Sequence, residues 1–346
     1  MVLTIKKSNM NIIKHKNFFV GLSALLMVVS VVIISIFGFN LSVDFKGGSV
    51  YEIAYTKNVP NAGMVKDATQ NVGIKNAVIQ QVGEKNFVIK TTGVNENVKL
   101  NLKKELTFND KFEFTEEREK TIGPAVSKEL VKKSLFAILF VSMAIVFFIG
   151  YVFSGVSKPV RSFKYGIVAV VALIHDILIP TAVFSILGSF MVDFQIDVLF
   201  VTALLAILGF SVNDTIVVFD RIRENIKNTK EDKVKGKRFQ NIVGHSLDET
   251  IVRSINTSIT TLVVLLALFF IGGDVLKPFA LVLAVGTVAG TYSSIFFASP
   301  LLVLIEKYQK EPKVDPKKEE KEKKKEATDE QIQEALRKIQ SGEEKF

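Results

Sequence analysis

The sequence predicts a polytopic α-helical membrane protein with six transmembrane helices and a small extracytoplasmic α/β domain, ferredoxin-like βαββαβ, between helices 1 and 2. Three observations predict it. Six stretches are apolar for about the 20 residues that a helix needs to cross a bilayer. Lys and Arg gather in alternate loops, as they do on the cytoplasmic side of membrane proteins. The long segment between the first two apolar stretches carries strand and helix patterns in the order βαββαβ. Hydrophobic residues make up 48% of 346, and they lie in blocks instead of at helix or strand period, which excludes a large soluble protein.

The first span, Phe18–Phe39, follows a basic N-terminus (residues 1–17, with Lys6, Lys7, Lys14, His15 and Lys16). Its 22-residue run exceeds a signal-peptide core of about 7–15 residues, and no small-x-small site follows, so it reads as an uncleaved anchor. Residues 40–133 then form the α/β domain. Ser49–Tyr55 is a strand, Asn61–Val72 a helix, and Ala77–Val82 and Phe87–Thr91 a hairpin around Gly83-Glu84-Lys85-Asn86. Glu96–Leu106 is a second helix and Lys111–Glu117 a fourth strand. Nothing in this domain suggests catalysis; a binding or lever role is expected.

The remaining spans are Ser134–Phe153, Tyr165–Phe190, Ile196–Phe219, Ile251–Ile271 and Pro278–Ile305. The N-terminal segment carries four Lys and Arg, the loop after span two carries three, and the loop from Arg221 to Thr250 carries eight. The two short loops on the other side carry none and one. Both termini are therefore expected on the cytoplasmic face of the cytoplasmic membrane, with residues 40–133 outside. The net charge of +9 lies largely beside the spans, where it reports topology more than a nucleic-acid partner. The tail, residues 306–346, is rich in Lys and Glu, with Lys317–Glu326 expected to be disordered. Thr328 and Gln331 form a capping box that would open a short helix to about Ile339. A solvated tail is the plain reading, and attraction to anionic lipid or a cytoplasmic partner the sharper one. With no Cys there is neither a disulfide framework nor a thiolate metal site.

Three ionisable residues lie inside the spans: Asp176, Asp214 and Arg253. A charge at mid-bilayer costs roughly 2.5–3.5 kcal/mol on insertion scales, so each is a functional candidate. Asp214 lies seven residues before Arg221, and Arg253 about seven residues in from the same face if its helix starts near Ser246. At matched depth the two would neutralise each other, either as a structural ion pair or as part of a proton path. Asn213, Ser211, Thr215, Asn256 and Thr257 add polar groups nearby that could hold water. Asp176, preceded by His175, is a second-tier proton-path candidate; a lone His there reads first as a satisfied core residue. Gly286-Thr-Val-Ala-Gly290 is a GxxxG, read as helix packing. There is no Walker-type loop, metal cluster or nucleophile–base pair, so no enzyme, catalytic residue or cofactor is expected.

At several of these motifs the chain resembles the SecF family of bacterial protein-export proteins. Leu41-Ser-Val-Asp-Phe-Lys-Gly-Gly48 resembles its Asp-Phe-x-Gly-Gly signature, through Asp44, Phe45, Gly47 and Gly48. Ile122-Gly-Pro-Ala-Val-Ser-Lys-Glu-Leu130, Ser211–Asn225 and Arg253-Ser-Ile-Asn-Thr-Ser258 resemble further segments of it. Lys46 and Ser254 stand where the family often has Thr. The resemblance implies half of an assembly like the resistance-nodulation-division transporters, paired with SecD and associated with the SecYEG channel, SecA, and YajC or YidC. It implies use of the proton gradient, or of sodium as in some relatives, to draw preproteins outward. Asp214 would then be the proton-binding carboxylate, Arg253 its switchable partner, and Asp44–Gly48 the link to the outer domain. A passive scaffold and a small-substrate transporter are the rival readings.

Overall fold

A computed structural model of the chain describes residues 12–75, 77–91, 95–152, 162–191, 194–229, 234, 236–273 and 276–307. The expected helix after Thr328 and the Lys/Glu-rich run lie outside these residues. The first long helix, α1 (Lys16–Phe37), is followed by a single helical turn, α2 (Val43–Lys46), which delivers the chain into a four-stranded sheet. The sheet domain runs β1 (Gly48–Tyr55), α3 (Ala62–Asn71), β2 (Val78–Val82), β3 (Asn86–Thr91), α4 (Glu96–Leu106) and β4 (Phe114–Ile122). Five more long segments follow: α5 (Pro124–Val152), α6 (Ser162–Phe190), α7 (Val198–Asn228), α8 (Lys237–Ile271) and α9 (Lys277–Tyr292). The last continues through a π turn, Ser293–Ala298, into α10 (Ser299–Lys307).

The βαββαβ order is as the sequence predicts, and the strand order β2-β3-β1-β4, antiparallel throughout, is that of a split-βαβ, ferredoxin-like sheet. Tyr51, Ile53 and Tyr55 alternate inward from β1 to meet Phe87, Ile89, Val65, Leu102 and Leu106. One boundary is corrected. The fourth strand starts three residues later than expected and runs on to Ile122, pairing as far as Gly48↔Ile122. It is an edge strand of charged residues, Glu116 to Lys120, and an edge that faces water shows no apolar alternation. Lys99–Glu119 and Lys103–Glu116, both at 2.6 Å, lash it to α4.

Among the described residues six segments are long and apolar enough to cross a membrane, so the chain is a multi-pass membrane protein with the sheet domain between the first two spans. Most helices outrun their predicted spans. α5 begins at Pro124, ten residues ahead of Ser134, because Pro suits a helix's first position. α7 continues nine residues past Phe219, and α8 starts at Lys237, fourteen residues before Ile251. Apolar composition marks where lipid lies, whereas helices stop only at a cap or a breaker. Here the stops are the Thr229 hydroxyl bonded to the Asn225 carbonyl and Gly236 at φ 59°. The two extensions are clamped: Arg221 reaches both carboxylate oxygens of Glu249 at 2.7 Å, and the Asn225 amide bonds Glu249 (2.8 Å) and Ser246 (2.9 Å). What composition marks as a basic loop is thus, in large part, a helical hairpin.

α7 and α9 form the buried centre of the bundle, packed on each other and on α6 and α8. α1, α5 and α8 lie outside and expose large apolar side chains such as Phe18, Phe147 and Phe270, as suits contact with lipid.

Candidate functional site

Gly286 and Gly290 set the spacing at the centre. A methyl group on Gly286 would collide with the Ile207 side chain, and one on Gly290 would come to 3.1 Å from Ser211 Cβ. The GxxxG therefore packs α9 closely on α7, its expected role. That contact brings polar side chains from α6, α7, α8 and the π turn to one depth. Counted from the sheet-domain ends of their helices at 1.5 Å per residue, Asp176 lies about 21 Å in, Asp214 about 24 Å and Arg253 about 27 Å.

Asp176 is completely buried and fully bonded. His175 Nδ1 meets one carboxylate oxygen at 2.9 Å. The other oxygen accepts from the Ser211 hydroxyl on α7 and, at 2.8 Å, from the Ser293 hydroxyl at the head of the π turn. His175 is as buried, lies against the rings of Tyr292 and Phe297, and has no partner at Nε2 among the described residues. The expectation of a satisfied core histidine is met at one nitrogen only. Ser293 gave no signal in the sequence beyond two consecutive serines in an apolar run, and the π turn gave none.

Asp214 is half-buried and makes no hydrogen bond or ion pair with another described residue. It lines a cavity of about 30 Å³ with Ser211, Ser258, Thr261, Thr287 and Thr291. That is room for one or two waters with several polar partners. Across the cavity the Ser258 and Thr291 hydroxyls bond each other at 2.5 Å. Arg253 lies at the matched depth but is exposed and within 4.0 Å of no carboxylate among the described residues. Its helix was expected to start near Ser246, and the two charges at matched depth to neutralise each other; α8 starts earlier, at Lys237, and no ion pair within 4.0 Å joins the two. Asn213 of α7 and Thr257 of α8 are exposed and also line the cavity, Asn256 is exposed, and Thr215 and Ser254 are buried, the Ser254 hydroxyl without a partner among the described residues. The polar residues expected around Asp214 thus divide between the cavity, the packed core and an open face of α8.

The signature segment lies at the other end of the bundle, where it ties sheet to helices. Asn40 O accepts from Ile196 N (2.8 Å), and Ser42 N donates to Ile196 O (2.9 Å). Asp44 bonds Lys120 of β4 at 3.2 Å and accepts from Val198 N of α7 at 3.4 Å. Phe45 packs into an apolar cluster that includes Phe184 and Phe200. Gly47 and Gly48 are at φ 80° and 147°, and a side chain on Gly48 would strike the Thr91 carbonyl, so this sharp turn into β1 requires glycine.

A sequence profile described as "Protein export membrane protein SecD/SecF, C-terminal" matches residues 101–308, and one described as "SecD/SecF GG Motif" matches residues 32–59. The "Protein translocase subunit SecF" of Thermobaculum terrenum is 41% identical over 303 residues, covering 85% of this chain and 93% of the relative. That of Anaerolinea thermophila is 36% identical over 301 residues, covering 86% and 94%. The crystal structure of SecDF, a translocon-associated membrane protein from Thermus thermophilus, superposes with a TM-score of 0.72 at 30% identity. The match covers 89% of this chain, which spans 40% of that longer one.

Proposed function

The chain belongs to the SecD/SecF family of protein-export membrane proteins, and from that premise we propose that it couples an ion gradient to preprotein export. It serves in protein export as a translocase subunit. Its partner is SecD, its wider context the SecYEG channel with SecA and YajC or YidC, and its cargo the translocating preprotein. The coupling ion is H⁺, with Na⁺ the alternative. The sheet domain is outside and both termini are cytoplasmic, as the Lys and Arg distribution indicates.

One observation carries the reading. Asp214 is a half-buried carboxylate at membrane depth with no described protein partner, beside a polar cavity that fits water. A structural carboxylate would be bonded, whereas an ion-binding one must be free to change state. Protonating Asp214 removes a charge near Arg253 and alters the balance that holds α8 against α7. The open polar face of Arg253, Asn256 and Thr257 is unfavourable against lipid and suits coverage by SecD. Motion of α6 and α7 would reach the sheet domain through Asn40, Ser42 and Asp44, which hold Ile196 and Val198.

The test is preprotein export into inverted vesicles holding this chain, SecD and the channel, with and without a proton gradient and again with a sodium gradient. Asp214→Asn and Arg253→Met should lose only the gradient-stimulated part. Export equal to wild type in both variants under a full gradient would leave a passive scaffold.

A further inference from the structure

We propose that His175 and Asp176 form a second proton site, a buried store wired to Asp214 through the Ser211 hydroxyl and the cavity beside it. The proposal rests on the reading of Asp214 as the gradient-facing carboxylate.

Ser211 touches both carboxylates' surroundings. Its hydroxyl donates to Asp176, and it lines the same cavity as Asp214, three residues on along α7. A hydroxyl both donates and accepts, so it can pass a proton without moving. A proton reaching Ser211 through cavity water is taken up as the hydroxyl hands its own proton to Asp176. One O–H bond forms for each that breaks, and the His175–Asp176 pair goes from a net charge of −1 to neutral. Release retraces the steps.

Two features fit a store better than a static knot. Asp176 has both oxygens bonded by three partners, yet His175 Nε2 is buried with no partner among the described residues. A purely structural pair would have both nitrogens satisfied. The orphan is a second place for the proton to rest, as imidazolium beside carboxylate. The Ser293 hydroxyl, moreover, lies within reach of two acceptors, Asp176 at 2.8 Å and the Gly290 carbonyl at 3.1 Å. It holds one proton, so once Asp176 is protonated the hydroxyl can turn to the carbonyl. Ser293 opens the π turn, and π turns inside helices recur at functional sites.

The surroundings isolate the pair. Within the membrane-depth stretches of α1, α5, α7 and α9 through α10, Asp214 is the single charged residue. Tyr292, stacked on His175 and accepting from Ser23 of α1 at 3.3 Å, is the titratable neighbour in contact. Around Asp214 the charged group to add is Arg253 of α8, so a proton held on Asp176 acts on a site that Arg253 already biases.

The test is infrared difference spectroscopy of the full chain with SecD in liposomes, stepping the pH and following protonated-carboxyl bands. One band should vanish in Asp176→Asn and a different one in Asp214→Asn. The midpoint of the surviving Asp214 band should move by about one pH unit or more once Asp176 is neutral. Unchanged carboxyl bands in Asp176→Asn overturn the proposal. If that variant does not assemble, Ser211→Ala and His175→Gln carry the test, because both keep the two carboxyls. A shifted Asp176 midpoint in either supports the store, and unchanged midpoints in both overturn it. An Asp176 band that titrates while Asp214→Asn exports with full gradient stimulation supports the store and sinks the reading of Asp214 alone.

Discussion

Gly290 lies against Ser211 so closely that a methyl group on it would sit 3.1 Å from the serine Cβ, and one turn earlier Gly286 has no room at all beside Ile207. Gly290→Ala should force α9 outward by a few tenths of an ångström, and Gly286→Ala should do so by more. The expected losses are about 1–3 kcal/mol, larger at Gly286, as for other overpacked cores. Thermal unfolding of the purified complex checks this, and unchanged melting in both variants would refute the packing described.

Gly48→Ala should be worse tolerated than any surface change in the sheet domain. The position combines a φ of 147° with a Thr91 carbonyl in the way of any side chain. Backbone strain alone costs on the order of 1–3 kcal/mol. The collision also opens the β1–β3 ladder at Ser49↔Thr91. Limited proteolysis should cut residues 49–122 in this variant while the membrane helices stay intact. Equal resistance to wild type would count against the turn geometry.

Glu249→Gln should loosen the α7–α8 extensions without unfolding the bundle. The Arg221 contact is bidentate, but both side chains are about a third exposed, so its worth is discounted to roughly 0.5–1 kcal/mol. Amide exchange across residues 221–229 should quicken severalfold, and the swap Arg221→Glu with Glu249→Arg should restore part of the protection. No change in exchange would mean that apolar packing alone holds the extensions.

Burial pushes the Tyr55 phenol above its ordinary range. A folded-state value raised above the unfolded one means that the folded chain keeps its proton longer. Sheet-domain stability is therefore fully present below about pH 10 and falls as the pH rises past it. Ultraviolet titrations of the wild type and Tyr55→Phe should differ by one late-ionising phenol. That variant loses the hydrogen bond to the Leu106 carbonyl (3.1 Å), about 1 kcal/mol at neutral pH, and flattens the alkaline fall. A wild-type titration without a late phenol would contradict the burial.

The six spans and the βαββαβ order were legible because blocked apolar runs and the period-2 pattern of Tyr51, Ile53 and Tyr55 are properties of sequence alone. The ends of α7 and α8 were not, since a helix past the lipid boundary is polar and looks like a loop. The charged edge strand through Ile122 was shortened for a similar reason. Asp176 announced itself as an ionisable group in lipid, but its partners come from α6, α7 and the π turn, and no local pattern encodes such a convergence. For Asp214 and Arg253, residue spacing gave similar distances along their helices but not direction around them, and no ion pair within 4.0 Å joins the two.

The chain enters and leaves the sheet domain at a single corner. Gly48 pairs with Ile122, and a methyl on Gly47 would lie 3.3 Å from the Ile122 carbonyl and 3.7 Å from the Pro124 nitrogen. The covalent links to the bundle thus form a narrow double neck, beside which Lys90 of β3 also reaches Gln195 at 3.5 Å. With entry and exit side by side, a small change in tilt at residues 40–48 would be magnified at the far edge of the sheet.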